Sequence, residues 1–113
     1  MKYALLIYLD PAGSEGLTEQ EGQAISDEYF AIADEPGMLG GEHLGALETA
    51  TTVRVQNGDV LTTDGPFADT KEAVGGYFTL EADDLDAAIE IVAKIPAARL
   101  GGAIEIRPMA TYW

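Results

Sequence analysis

Nine consecutive residues, Asp64-Gly65-Pro66-Phe67-Ala68-Asp69-Thr70-Lys71-Glu72, hold four ionisable side chains around a Gly-Pro turn. An aromatic sits inside the turn, and Gly75-Gly76 follow it closely. Carboxylates and an ammonium held on a stiff turn can move a proton, hold a substrate hydroxyl or grip a charged group. The same residues can also do no more than join two strands. Asp64 is the candidate catalytic residue: it can serve as a general base, or it can bond the backbone beyond it, as aspartate does at the start of many turns. Lys71 can bind an anionic substrate group as a point charge, or neutralise the acids beside it. Phe67 is either an apolar anchor for the turn or a ring on which a ligand stacks. Asp69 and Glu72 have capping-box spacing around a helical turn, which reads as structural. Gly65 precedes a proline and is therefore expected to be extended.

His43 is the single histidine, and its ordinary pKa lies near neutrality. Glu42-His43 together with Asp64 can form an acid–base pair, or His43 can be a structural or exposed group. No metal site is expected. Zinc favours nitrogen and sulfur ligands, the chain has no cysteine, and no ligand spacing supports a magnesium or manganese site. No cofactor is implied either: there is no phosphate-binding glycine loop of the right spacing, nucleophile elbow or zinc motif. Ser14 falls in a loop and Ser26 in a helix, neither near a recognisable base.

The elements that must hold these residues follow from periodicity. Tyr3–Leu9 is a continuous apolar run ending at Asp10-Pro11, which reads as a central strand apolar on both faces. Thr18 and Glu21 have capping-box spacing, and Ile25, Tyr29, Ile32 and Ala33 follow at helical spacing until Glu35-Pro36-Gly37. Met38–Leu44 is a weaker strand with paired glycines. Asn57-Gly58 is the preferred type I′ hairpin turn, aligning Val55 with Val60, Val53 with Thr62, and Arg54 with Leu61. In Val74–Leu80, Val74, Phe78 and Leu80 are expected on one face and Tyr77 and Thr79 on the other, with a bulge or close approach at Gly75-Gly76. Asp83 and Asp84 open a second helix whose stripe is Leu85, Ala88, Ile89, Val92 and Ile95. Ala103–Arg107 is the last strand, with Glu105 and Arg107 opposite Ile104 and Ile106. The order β-α-β, inserted hairpin, β-α-β points to a split βαβ, ferredoxin-like α+β sandwich.

The nine-residue stretch followed by Gly75-Gly76-Tyr77-Phe78 resembles the signature of the YCII-related family in its DGPF branch. Met1-Lys2-Tyr3 through Ile7-Tyr8, Ala50-Thr51-Thr52-Val53-Arg54 and Ile104-Glu105-Ile106-Arg107-Pro108 fit that branch too. The resemblance implies a ferredoxin-like fold that dimerises through its sheets into a dimeric α/β barrel, and an enzyme-like pocket. It also implies, from relatives associated with alternative sigma factors, a regulatory setting. Other relatives pair a histidine on the first helix with an aspartate after the second. Here Thr18–Ala33 contains no histidine, and Lys94-Ile95-Pro96-Ala97 lacks the aspartate, so any activity must use other residues.

At 113 residues, one domain spanning 1–113 is expected, burying roughly two-thirds of its unfolded surface. Twenty acids against six bases give a net charge of −14, which repels phosphate backbones and argues against direct nucleic-acid binding. The apolar run at Tyr3–Leu9 is too short to span a membrane and lacks the form of a signal peptide, so no membrane partner and a cytoplasmic location are expected. The helices can cover one face of the central strand, and a second copy of the chain is expected to cover the other as a homodimer. Its sheet faces would enclose a polar pocket in which Tyr77 and Arg107, with Phe67 and Lys71, contact a small-molecule ligand. The alternative is a non-catalytic regulatory or interaction module that acts through a protein partner.

Overall fold

The computed structural model describes residues 1–67 and 72–110. Strand β1 (Lys2–Leu9) ends where the Asp10 carboxylate accepts the Ala12 N–H at 3.0 Å and Pro11 starts a short 3₁₀ turn. Helix α1 (Glu19–Ala33) opens on Thr18, whose hydroxyl accepts the Glu21 N–H at 3.0 Å and donates to the Glu21 carboxylate. Strand β2 (Met38–His43) leads to the hairpin of β3 (Thr51–Gln56) and β4 (Asp59–Asp64). Then come β5 (Ala73–Glu81), helix α2 (Leu85–Val92), capped by the Asp84 carboxylate on the Ala87 N–H, and β6 (Ala103–Pro108).

The main sheet runs β2-β5-β1-β6, with each neighbouring pair antiparallel. This order, with two helices, is compatible with the expected ferredoxin-like α+β fold. Its core is the alternating half of β1 (Tyr3, Leu5 and Ile7) packed with Leu80, Ile32, Ala88, Val92 and Ile95. Each leucine, isoleucine or valine among them contributes roughly 1.5–3 kcal/mol by leaving water. The other half of β1 (Ala4, Leu6 and Tyr8) stays partly exposed on the opposite face.

Two expectations are corrected. Val74 does not share a face with Phe78 and Leu80. The pairing slips between Ile7 and Tyr8, so Tyr8 meets Val74 while Ile7 meets Gly76. Gly75 is the extra residue of a bulge, as the glycine pair suggested, and Val74 passes to the open face with Tyr8. On α2, Leu85 and Ile89 are about half exposed, and the packed side chains are Ala88, Ile91 and Val92, joined by Ile95 just beyond the helix. Ala88, fully buried, sets the helix against the core and leaves Leu85 and Ile89 on its flank.

The hairpin has the predicted register, with φ of 51° at Asn57 and 83° at Gly58, as a type I′ turn requires. It forms a sheet of its own and stands off the main body. Every residue of β3 and β4 except Thr52 is exposed, with Val60 at 67%. The radius of gyration, 16.1 Å, exceeds the roughly 13 Å expected for a compact chain of this length, which fits a projecting arm.

Candidate functional site

The Asp64 turn grows directly from the base of this hairpin. Asp64, the last residue of β4, pairs with Thr51. The Gly65 N–H donates to the Ala50 carbonyl at 2.7 Å, and the Thr52 hydroxyl donates to the Gly65 carbonyl at 2.8 Å. Gly65 is not extended in the ordinary sense: its φ is +105°, a region open to glycine and strained for other residues. The two bonds at the hairpin base impose this conformation, and only glycine meets it cheaply.

The Asp64 carboxylate is exposed and makes no hydrogen bond or ion pair with any described residue. It therefore caps no described backbone N–H of its turn. Phe67 is 71% exposed, so it is not a buried anchor; the Arg54 guanidinium lies over its ring, 4.7 Å from the centroid. Lys71 and Asp69 lie outside the described residues.

Beside the turn is a cavity of about 410 Å³. Its walls are Tyr8 and Val74 from the open sheet face, the connection from Leu44 to Ala50, and Pro66 with Glu72 from either end of the turn. Neither Asp64, Phe67, Tyr77 nor Arg107 lines it. Asp64 sits just outside, opposite Thr51 and next but one to Pro66. The sequence offered no sign of Tyr8 or Val74 here, because the bulge that turns Val74 outward is invisible to simple alternation.

Tyr77 and Arg107 occupy the open face. Cross-strand pairing sets Tyr77, Leu6 and Glu105 in one row, and Thr79, Ala4 and Arg107 in the next. Arg107 and Tyr77 stand two strands apart and two residues out of register, about 12 Å. The Arg107 Nε donates to Glu105 at 2.6 Å. Within one chain, then, the candidate residues form two groups: Asp64 and Phe67 at the hairpin base, Tyr77 and Arg107 on the sheet.

A second cavity, about 320 Å³, opens between α1 and the edge formed by β2 and β5. It brings His43 together with Ser26 and Tyr29, and Asp64 is not part of it. An acid–base pair of His43 with Asp64 is therefore not assembled in this cavity, whereas Ser26 and His43, far apart in sequence, share its wall. Gly41, Gly75 and Gly76 line it, and a Cβ on them would collide with the Tyr77 carbonyl, the Leu9 side chain and the Glu42 carbonyl respectively, so they permit close strand packing at its wall. Burial raises the Tyr29 phenol above its ordinary value, partly offset by the Ala97 backbone. Among the described residues no cluster of three or more His, Asp or Glu side chains could hold a metal ion, and no helix is long and apolar enough to cross a membrane.

Fold and turn together define a class: an antiparallel α+β sandwich with an inserted hairpin whose base carries the Asp-Gly-Pro-Phe turn. The family profile of the YCII-related domain matches residues 1–111. The chain is also similar to an uncharacterised protein of Rhizobium meliloti (strain 1021). The two are 31% identical over 117 residues, covering 99% of this chain and 94% of the relative. The chain belongs to the YCII-related family.

Proposed function

We propose that this protein is a homodimer that binds and transforms a small molecule in the cavity beside the Asp64-Gly65-Pro66-Phe67 turn, with Asp64 as the charged group that acts on it. The observation behind this reading is that both ends of the turn, Pro66 and Glu72, form walls of a cavity of about 410 Å³. That volume falls within the range of roughly 300–1,000 Å³ common for small-molecule sites. The Asp64 carboxylate, without a partner among the described residues, supports a role for this residue: such an acid is available to a substrate proton or hydroxyl.

The open sheet face supports the dimer. Ala4, Leu6, Tyr8, Val74 and Tyr77 lie there among Glu105, Arg107 and Thr79. A second copy packed on it face to face would form a dimeric barrel, burying on the order of 2,000 Å² or more in total. Because Tyr8 and Val74 belong both to this face and to the cavity wall, the same packing would roof the cavity and bring Tyr77 and Arg107 toward it.

The test is a thermal-shift screen of metabolites on the wild type and Asp64→Asn together. Asn keeps the shape and removes the charge, so a true ligand should stabilise the wild type and lose most of its effect on the variant, whose own melt stays nearly unchanged. A ligand that stabilises both equally removes Asp64 from the site. A broad screen without a hit favours a regulatory module that acts through a protein partner.

A further inference from the structure

The chain has six bases among twenty acids, so a base without an acid nearby stands out. Among the described residues, Lys94 holds Glu35 at 2.8 Å, Arg99 holds Glu28 through two bonds of 2.7 Å, and Arg107 holds Glu105 at 2.6 Å. Lys2 stands directly across the ladder from Glu81. Arg54 has neither arrangement. Its cross-strand partner is Leu61, and no described carboxylate lies within ion-pair distance. Its guanidinium is spent on one neighbour, the face of the Phe67 ring.

That neighbour leaves its donors free. An aromatic ring takes a guanidinium face-on and holds it in place without consuming its in-plane N–H groups. Those groups form a rigid fork that matches two oxygens of a carboxylate or phosphate. The ring belongs to the turn and follows the cavity-lining Pro66 in sequence, so the contact ties the guanidinium to the turn, although neither Arg54 nor Phe67 lines the cavity itself. Asp64 and Arg54 fall on opposite faces of the hairpin by its register, so the acid does not neutralise the base.

We propose that Arg54, seated on Phe67, recognises an oxyanion of the ligand, and hence that the ligand carries a carboxylate or a phosphate. The inference rests on the reading of the neighbouring cavity as the ligand site. In a chain of net charge −14 an anionic ligand is repelled at long range, so a short-range fork has to supply its recognition.

The test uses the full chain and three probes that share a phenyl ring: benzoate, phenyl phosphate and uncharged benzamide. Binding is followed by amide NMR on wild type, Arg54→Gln and Arg54→Lys. At least one anion should bind wild type about tenfold or more tightly than benzamide, as expected when a charge-assisted bidentate contact is present. Which anion does so separates a carboxylate ligand from a phosphate one. Arg54→Gln should abolish the preference, and Arg54→Lys should keep only a minor part of it, because an ammonium lacks the fork. Equal binding of benzamide and both anions, or an anion preference that survives in Arg54→Gln, overturns the proposal. The two readings fail separately. An Arg54-dependent anion that leaves Tyr8, Val74 and Glu72 unmoved sinks the cavity reading alone; benzamide moving those residues without any anion preference sinks the Arg54 inference alone.

Discussion

Gly41→Ala should lower the melting temperature of the whole protein, although it adds one methyl group. Gly41 lies on β2 opposite Phe78, within the main ladder. A Cβ there would overlap the Tyr77 carbonyl oxygen and come within 3.0 Å of the Phe78 Cα. Both are backbone atoms of a neighbouring strand, so relief means shifting the β2–β5 pairing rather than turning a side chain. The cost belongs at the upper end for overpacking, about 3 kcal/mol. Removing glycine freedom from the unfolded chain offsets about 0.7 kcal/mol, leaving a net loss of about 2 kcal/mol. With 113 residues the unfolding entropy is roughly 0.24 kcal/mol/K, so the midpoint should fall by about 8 °C. Gly22→Ala is the control. It lies in α1 with open space where its Cβ would go, and alanine is the better helix former by roughly 0.5–1 kcal/mol. Thermal unfolding followed by circular dichroism should place Gly22→Ala at or slightly above wild type and Gly41→Ala well below. If Gly41→Ala melts within about 2 °C of wild type, or Gly22→Ala falls as far, the steric reasoning is wrong.

Gly58→Val removes the positive φ of the hairpin turn where no neighbour crowds a side chain, so its cost of roughly 1–2 kcal/mol is conformational. Because the arm stands off the core, faster hydrogen exchange should be confined to β3 and β4; unchanged exchange there would contradict the assignment. Glu28 sits below its ordinary carboxylate range because Arg99 bonds it. Its pairing therefore stabilises the fold above the unfolded-state value and is lost as pH falls through the folded-state one. The melting difference between wild type and Arg99→Gln should accordingly be present at neutral pH and shrink as pH falls below the ordinary glutamate range. A constant difference would show that Arg99 acts otherwise. Sedimentation equilibrium should find a dimer in the wild type and a monomer in Leu6→Glu, which sets a second acid in the row of Glu105 on the open face. A monomeric wild type removes the dimer.

Local chemistry made much of the fold legible. The Thr18–Glu21 box, the Asn57-Gly58 turn and the apolar run of β1 each state their own structure within a few residues. What escaped depends on partners distant in sequence. Val74 changes face because of a slip against β1 that only the paired strand reveals. Leu85 and Ile89 look buried by spacing, but which flank of α2 meets the core is decided by the small Ala88. At the site, Asp64 was legible as a residue of interest because a carboxylate beside a Gly-Pro turn is chemically suggestive. Arg54 was not, since its meaning lies in Phe67, thirteen residues further along the chain. Nor was the meeting of Ser26 with His43, which needs α1 laid along the β2 edge.

The central claim is that ligand binds beside the Asp64 turn on the open side of the sheet, not in the groove under α1. The most direct measurement is the position of a screening hit, mapped by amide chemical shifts on the labelled chain. The account predicts movement at Tyr8, Thr49, Ala50, Glu72 and Val74, where the turn and the open face meet. Movement confined to Ser26, Tyr29, Ala33 and His43 would place the ligand in the groove under α1 and contradict it.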